Sequence, residues 1–314
     1  GDPALEAVKM IEDMKARGSN PRYWQIYWED MLSDRHHRRY PPSMIGRAPL
    51  ELNEAEQARL KSYWDRAEAY AKLARKELPQ EKLALGAFAN FTEEFLRRGF
   101  PKGLLDAISL EATAYRTQPE RPPDTENVQA LYFIQEWKKK YGYQDLDTIM
   151  VESLFRGTAP GYLSERDQAN YYVRDFLHGL AYGVKLFGMS AMITDVSNDY
   201  YRSSWGNVGL CHRAPEPSPK ESYVAYATMT DVLDQARYQG YIGTGSTSLY
   251  ALHFTARDGE NVYTVWTTRG KRPAALQLEG GTNTVVIDAM HRQILAPGGS
   301  LVAGESPVYV KTRA

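Results

Sequence analysis

Three acidic residues stand where apolar, strand-like runs end. Leu146-Asp-Thr-Ile-Met-Val-Glu152-Ser closes on Glu152, Tyr23-Trp-Gln-Ile-Tyr-Trp28-Glu29-Asp on Glu29, and Leu104-Leu-Asp-Ala-Ile-Ser-Leu-Glu111 on Glu111. In a parallel α/β barrel the C-terminal strand ends carry the chemistry, so such acids are candidate catalytic groups. Two carboxyls about 5–5.5 Å apart on one rim can cleave a glycosidic bond with retention, one attacking the anomeric carbon and the other protonating the leaving oxygen. Mutual repulsion and partial burial would separate their pKa values, leaving Glu152 charged and Glu29 neutral before attack. The same positions also suit a solvated rim residue or a salt-bridge partner, and for Glu111 a structural ion pair fits at least as well as substrate orientation.

Other residues fit the same chemistry. Asp195 and the loop Asn198-Asp199-Tyr-Tyr201-Arg202 combine acids with flat rings, the usual partners of sugar hydroxyls and sugar faces. Trp205 suits either stacking or packing. His36 and His37 are adjacent and cannot share a helix face, which argues against a metal site, and the proposed chemistry requires no cofactor. Gly243-Thr-Gly245 and Gly280-Gly281 lack the ending of a phosphate loop and read as turns.

Composition removes several function classes. A formal net charge of -1 does not supply the positive field that nucleic acid requires. Cys211 is the only cysteine, so neither a disulfide within the chain nor a cysteine cluster staples the fold. No run approaches the roughly 18 apolar residues of a membrane span, and no basic-then-apolar leader is visible at the start. The chain therefore reads as soluble with its compartment open, a secreted or periplasmic site being expected over the cytoplasm if an N-terminal part carries a signal. Twenty-two Tyr and six Trp tilt the composition slightly toward carbohydrate.

The elements that must position these residues alternate helix and strand through residues 1–235. The patterns predict helices near 3–17, 53–78, 92–98, 125–140, 164–187 and 219–235, with strands near 22–28, 82–88, 104–111, 146–152 and 190–195. Helix 3–17 carries apolar residues at 5, 8, 11 and 14. Ser164-Glu-Arg-Asp167 reads as a capping box, and Gly188 as the end of the helix that it opens. Residues 236–314 change to short β-rich runs near 237–242, 248–256, 261–268, 273–279, 283–288, 300–303 and 307–311, the pattern of an antiparallel sandwich. A closed (β/α)8 barrel needs eight strands, and five are legible here. The chain opens in a helix, so the expectation is an α/β fold: a partial TIM barrel, about the fourth to eighth βα units, followed by an antiparallel β-sandwich. An open five-stranded sheet is the competing arrangement.

The order of these segments resembles the clan A glycoside hydrolases. Ile149-Met-Val-Glu152-Ser is similar to their nucleophile strand. Glu165-Arg-Asp-Gln168-Ala-Asn-Tyr-Tyr-Val-Arg174, Gly183-Val, Asp195, Trp205-Gly-Asn-Val-Gly209-Leu and Pro219-Lys-Glu-Ser-Tyr223 resemble their eighth unit, and Tyr263-Thr-Val-Trp266 their terminal β-domain. The resemblance implies Glu152 as nucleophile and Glu29 as acid/base in a retaining double displacement. It further implies substrate contacts at Trp28, Glu111, Tyr115, Asp195, Asp199, Tyr201 and Trp205, with carbohydrate as the substrate. Trp28 stands where the family has Asn, and Ser109-Leu-Glu111-Ala-Thr-Ala-Tyr115 where the sixth strand commonly ends in His and Tyr. Two other readings follow: a catalytically silent carbohydrate-binding barrel, and an assembly subunit whose open edge pairs with a second polypeptide supplying the first three strands, or with its own copy.

Overall fold

The computed structural model describes residues 2–27, 49–86, 89–115, 118–120, 127–157, 163–189, 194–195, 207–213, 215, 217–275, 284–294 and 300–312. Within these spans, the side chains of 27, 89, 90, 111–115, 127, 129, 152 and 189 lie outside the description. By packing, the chain divides into two units. The first comprises Gly1–Ala112, Pro122–Val151 and Val184–Phe187, and the second Thr113–Arg121, Glu152–Gly183 and Gly188–Ala314. The predicted border at 235/236 marks the change from helix to strand, while the packing border crosses three strands.

Five helix-separated strands form one sheet in sequential order: β1 (Trp24–Tyr27), β2 (Leu83–Gly86), β3 (Ala107–Tyr115), β4 (Asp147–Phe155) and β5 (Val184–Met189). β1, β2 and β3 pair in parallel. Asp106 N donates to Leu83 O, and Asp147 N to Asp106 O, each at 2.8 Å, so the starts of β2, β3 and β4 lie side by side. The sheet is curled, because Arg22 at one edge donates through Nη1 to Lys185 O on the other, at 3.2 Å. Its inner face collects Tyr23, Ala84, Ala107 and Ile149 with Val151 and Leu186. Across that face Tyr23 Oη donates to Asp147 (2.6 Å) and Gln25 Nε2 to Ser109 Oγ (2.7 Å). Alternate residues Trp24, Leu83 and Leu85 pack outward with helices α1 (Pro3–Ala16) and α2 (Glu54–Glu77), as a two-residue pleat requires. This is a segment of a TIM barrel.

α2 begins at a reciprocal capping box, Asn53 with Glu56, and buries Leu60, Tyr63, Ala67, Ala71 and Ala74. The Tyr63 hydroxyl reaches Ile26 O (3.1 Å) and Gly86 O (3.0 Å), fastening the ends of β1 and β2 to the helix. α1 departs from its predicted stripe: Val8 and Ile11 are buried, whereas Leu5 and Met14 are 42% and 38% exposed. At about 100° per residue a strict three-residue spacing rotates about 60° at each step, which carries positions 5 and 14 to opposite sides of the helix. Helices α3 (Ala89–Arg97) and α4 (Asn127–Tyr141) fall close to their predicted spans.

The largest correction concerns the next helix and strand. α5 spans Glu165–Ala181 and does not continue to Gly188. Gly183 at φ +73° turns the chain, and Val184 and Phe187, predicted to line the helix, belong to β5. The strand predicted at 190–195 is therefore displaced to Val184–Met189. Thr194 makes only an isolated bridge to Cys211. Every residue of α5 from Gln168 to Gly179 is buried, the polar ones included, so no solvent-exposed stripe marks by its phase where the helix ends.

Helix α6 (Glu221–Val232) precedes the β-rich part. There a six-stranded sheet runs β11 (Gln293–Ile294), β10 (Thr284–Ile287), β13 (Val308–Thr312), β8 (Asn261–Thr267), β7 (Leu249–Thr255), β6 (Arg237–Tyr241). A pair formed by β9 (Arg272–Ala275) and β12 (Ser300–Ala303) faces it. Tyr263, Val265, Val286, Val308 and Val310 of the sheet close on Ala274, Leu301 and Ala303 of the pair, which makes a β-sandwich. The predicted runs match these strands, except for β11, whose two residues are too few to show a period.

Candidate active site

Glu152 lies within β4, three residues before the strand ends at Phe155. On its N-terminal side Ile149 and Val151 belong to the inner cluster of the first unit. On its C-terminal side the strand is held by α5: Ser153 Oγ donates to Asp175 (2.7 Å), Phe155 N to Tyr172 Oη (3.3 Å), and Gln168 Nε2 to Phe155 O (2.7 Å). Gly157 follows, and a Cβ there would lie 2.7 Å from the Gln168 side chain. The backbone around position 152 is thus fixed by buried polar groups rather than by a free loop.

Glu111 and Tyr115 lie within β3, the neighbour of β4 in the sheet, so positions 111, 115 and 152 share two adjacent strands. Glu29, Trp28, Asp199, Tyr201 and Trp205 lie outside the described residues, as do His36 and His37. Among the described residues, no group of three or more His, Cys, Asp or Glu side chains is arranged to hold a metal ion.

Asp195 is described in full. Its side chain and that of Lys220 are both 0% exposed, with Nζ 2.7 Å from Oδ2, and Gly209 N donates to Oδ1 at 2.9 Å. Burial pushes the Asp195 carboxyl up despite the ammonium beside it, and burial pulls Lys220 down. Asp195 N also donates to Cys211 O at 3.0 Å. Both feet of the segment between 195 and 209 are therefore pinned by one buried carboxylate, whose polar contacts come from within the protein.

A second buried carboxylate, Glu120, stands outside the strand-end acids of the sequence. It accepts hydrogen bonds from Arg174 through Nε (2.8 Å) and Nη2, and from Trp266 Nε1 (2.9 Å). His178 Nε2 lies 3.4 Å away, and His178 Nδ1 is 2.7 Å from Tyr241 Oη. Burial pushes the Glu120 carboxyl up, but the His178 and Arg174 contacts outweigh it and hold the group well below the usual carboxylate range. Two sequence signals point to it: an Arg and a His four residues apart on one helix, and a Glu in a Pro-rich stretch, Gln118-Pro-Glu-Arg-Pro-Pro123. Neither names its partner, because the partners are 54 to 146 residues distant.

No protein-family profile and no curated protein sequence matches the chain. Solved structures do. A family 39 glycoside hydrolase from the gut symbiont Bacteroides cellulosilyticus superposes with a TM-score of 0.72 at 16% identity, over 99% of this chain and 61% of that one. A family 51 arabinofuranosidase from Xanthomonas axonopodis pv. citri gives 0.58 at 11% identity, over 97% and 69%. A thermostable family 51 α-L-arabinofuranosidase from Thermotoga petrophila gives 0.58 at 12%, over 99% and 73%. The chain shares the barrel-and-sandwich fold of these glycoside hydrolases and spans less than two thirds of the length of the Bacteroides protein.

Proposed function

We propose that this chain is the C-terminal portion of a retaining glycoside hydrolase, with Glu152 as nucleophile and Glu29 as acid/base. The observation that carries the reading is Glu152 near the C-terminal end of β4 in a curled, helix-wrapped parallel sheet of a fold shared with glycoside hydrolases. Glu152 would attack the anomeric carbon while Glu29 gives its proton to the leaving oxygen; water activated by Glu29 would then cleave the glycosyl ester. Glu111, Tyr115, Asp199, Tyr201, Trp205 and Trp28 would contact the sugar. Pentofuranosides are the first substrates to try, since two of the structural neighbours are arabinofuranosidases.

Aryl glycosides test this directly. Glu152→Gln is expected to lower kcat by at least about 10³-fold, as loss of a covalent nucleophile does. Unchanged activity refutes the assignment. Glu29→Gln is expected to cost on the order of 10²–10⁴-fold with a poor leaving group and much less with a nitrophenol, which departs without a proton.

The five-strand count among the described residues and the 61% span of the Bacteroides protein favour one second reading, in which another polypeptide, or another copy, completes the sheet. A species at 35.6 kDa, the mass of one chain, that stays monomeric and fully active counts against it.

A further inference from the structure

Helix α5 presents two adjacent polar stripes in the second unit. Gln168, Tyr172 and Asp175 hold the end of β4 just beyond Glu152. Arg174 and His178, four residues apart, hold Glu120. Residues three and four apart on a helix sit side by side, so one rigid rod grips both segments at once. The grip on Glu120 is strong for its size: a bidentate guanidinium fork and the Trp266 indole converge on one carboxylate that is 2% exposed, and Arg174 is 0% exposed. Gln118 Nε2 adds a bond to Thr268 O at 3.2 Å. Glu120 lies five residues beyond Tyr115, where β3 ends, in the described segment 118–120. A solvated salt bridge could not fix that segment, whereas a buried one with fork geometry can.

We propose that Glu120 and Arg174 are a positioning pair, setting the place of residues 118–120, and with them the end of β3 at Tyr115, relative to the nucleophile strand through α5. The proposal rests on the glycosidase reading, because it assigns the pair its purpose within that site. Neither residue touches the reacting atoms. The pair fixes where Tyr115 is carried, while Gln168, Tyr172 and Asp175 fix where Glu152 is carried.

The test compares Glu120→Gln, Arg174→Lys and the double variant Glu120→Gln/Arg174→Met with the unaltered protein, measuring aryl glycoside kinetics, thermal midpoint and amide exchange. Both single variants should raise KM about 10-fold and lower kcat/KM on the order of 10²-fold, the effect of a substrate contact displaced by about 1 Å. Amides of 113–121 should exchange at least about 10-fold faster while those of α5 stay protected. The double variant removes both charges of the pair, so its midpoint should recover toward that of the unaltered protein while its KM stays raised. A merely structural pair would restore both together, and that result overturns the proposal. So does unchanged exchange over 113–121 in a folded Glu120→Gln protein. If the unaltered protein turns over no glycoside, the hydrolase reading fails, and the exchange measurement alone decides whether the pair fixes the segment.

Discussion

Glu120 and Asp195 are both buried carboxylates, yet their surroundings shift them in opposite directions. At Glu120 the His178 and Arg174 contacts outweigh the cost of burial. Asp195 has one ammonium and one backbone N–H, and burial wins. Because Glu120 titrates below its unfolded value, its stabilisation is complete above about pH 4.3, the ordinary Glu value, and is lost as pH falls toward the folded value. The difference in thermal midpoint between about pH 6 and pH 3 should accordingly be smaller in Glu120→Gln than in the unaltered protein; an equal or larger difference argues that Glu120 has no such linkage. For the Asp195–Lys220 pair, Asp195→Asn alone leaves a buried ammonium without its counter-charge and should cost about 3–5 kcal/mol. Asp195→Asn with Lys220→Met should cost less than the single change, a reversal of additivity that denaturant unfolding would detect.

At the scale of elements, α5 organises the second unit because it is buried on all sides. Its start is set by Ser164, whose side chain accepts from Asp167 N in the predicted capping box. Its end is set by Gly183, in a left-handed conformation with nothing within 4 Å of a virtual Cβ, so the constraint there is conformational and not steric. Gly183→Ala should therefore cost only about 1 kcal/mol. Gly157→Ala should cost about 1–3 kcal/mol, since its methyl meets a Gln168 side chain already committed to Phe155 O and Asn207 O. Equal losses at the two glycines, read from urea midpoints, would contradict this distinction. α2 keeps close to its predicted span of 53–78: the Asn53–Glu56 box opens it, and it buries Leu60, Tyr63, Ala67, Ala71 and Ala74, with Trp64 and Tyr70 only partly covered at its flank.

For the molecule as a whole, the strongest consequence of the proposed function is ligand linkage. A saccharide that occupies the site in Glu152→Gln without being hydrolysed should raise stability by about 2.7 kcal/mol at 100 times its Kd. A raised thermal midpoint in both unaltered and substituted proteins, with no turnover by either, would identify a silent carbohydrate-binding barrel instead. The packing border falls after Ala112, Val151 and Phe187, inside β3, β4 and β5, so the ends of these strands are grouped with α5, α6 and the β-sandwich. The sequence does not show this grouping, because the contacts that divide the strands come from distant segments.

The sequence alone determined what depends on near neighbours. The two-residue pleat, the cap at Ser164 and the alternation of helices with apolar runs established a parallel α/β part followed by antiparallel strands, and placed an acid near the end of β4. The tertiary structure decided what depends on remote partners. It ended α5 at Gly183 and made β5 from residues predicted to be helical; it closed Asp195 against Lys220, 25 residues away, and drew Glu120 to Arg174 and Trp266. Local periodicity reports which face of an element is apolar, but a buried charge is stable only beside its counter-charge, and chain folding alone brings the two together.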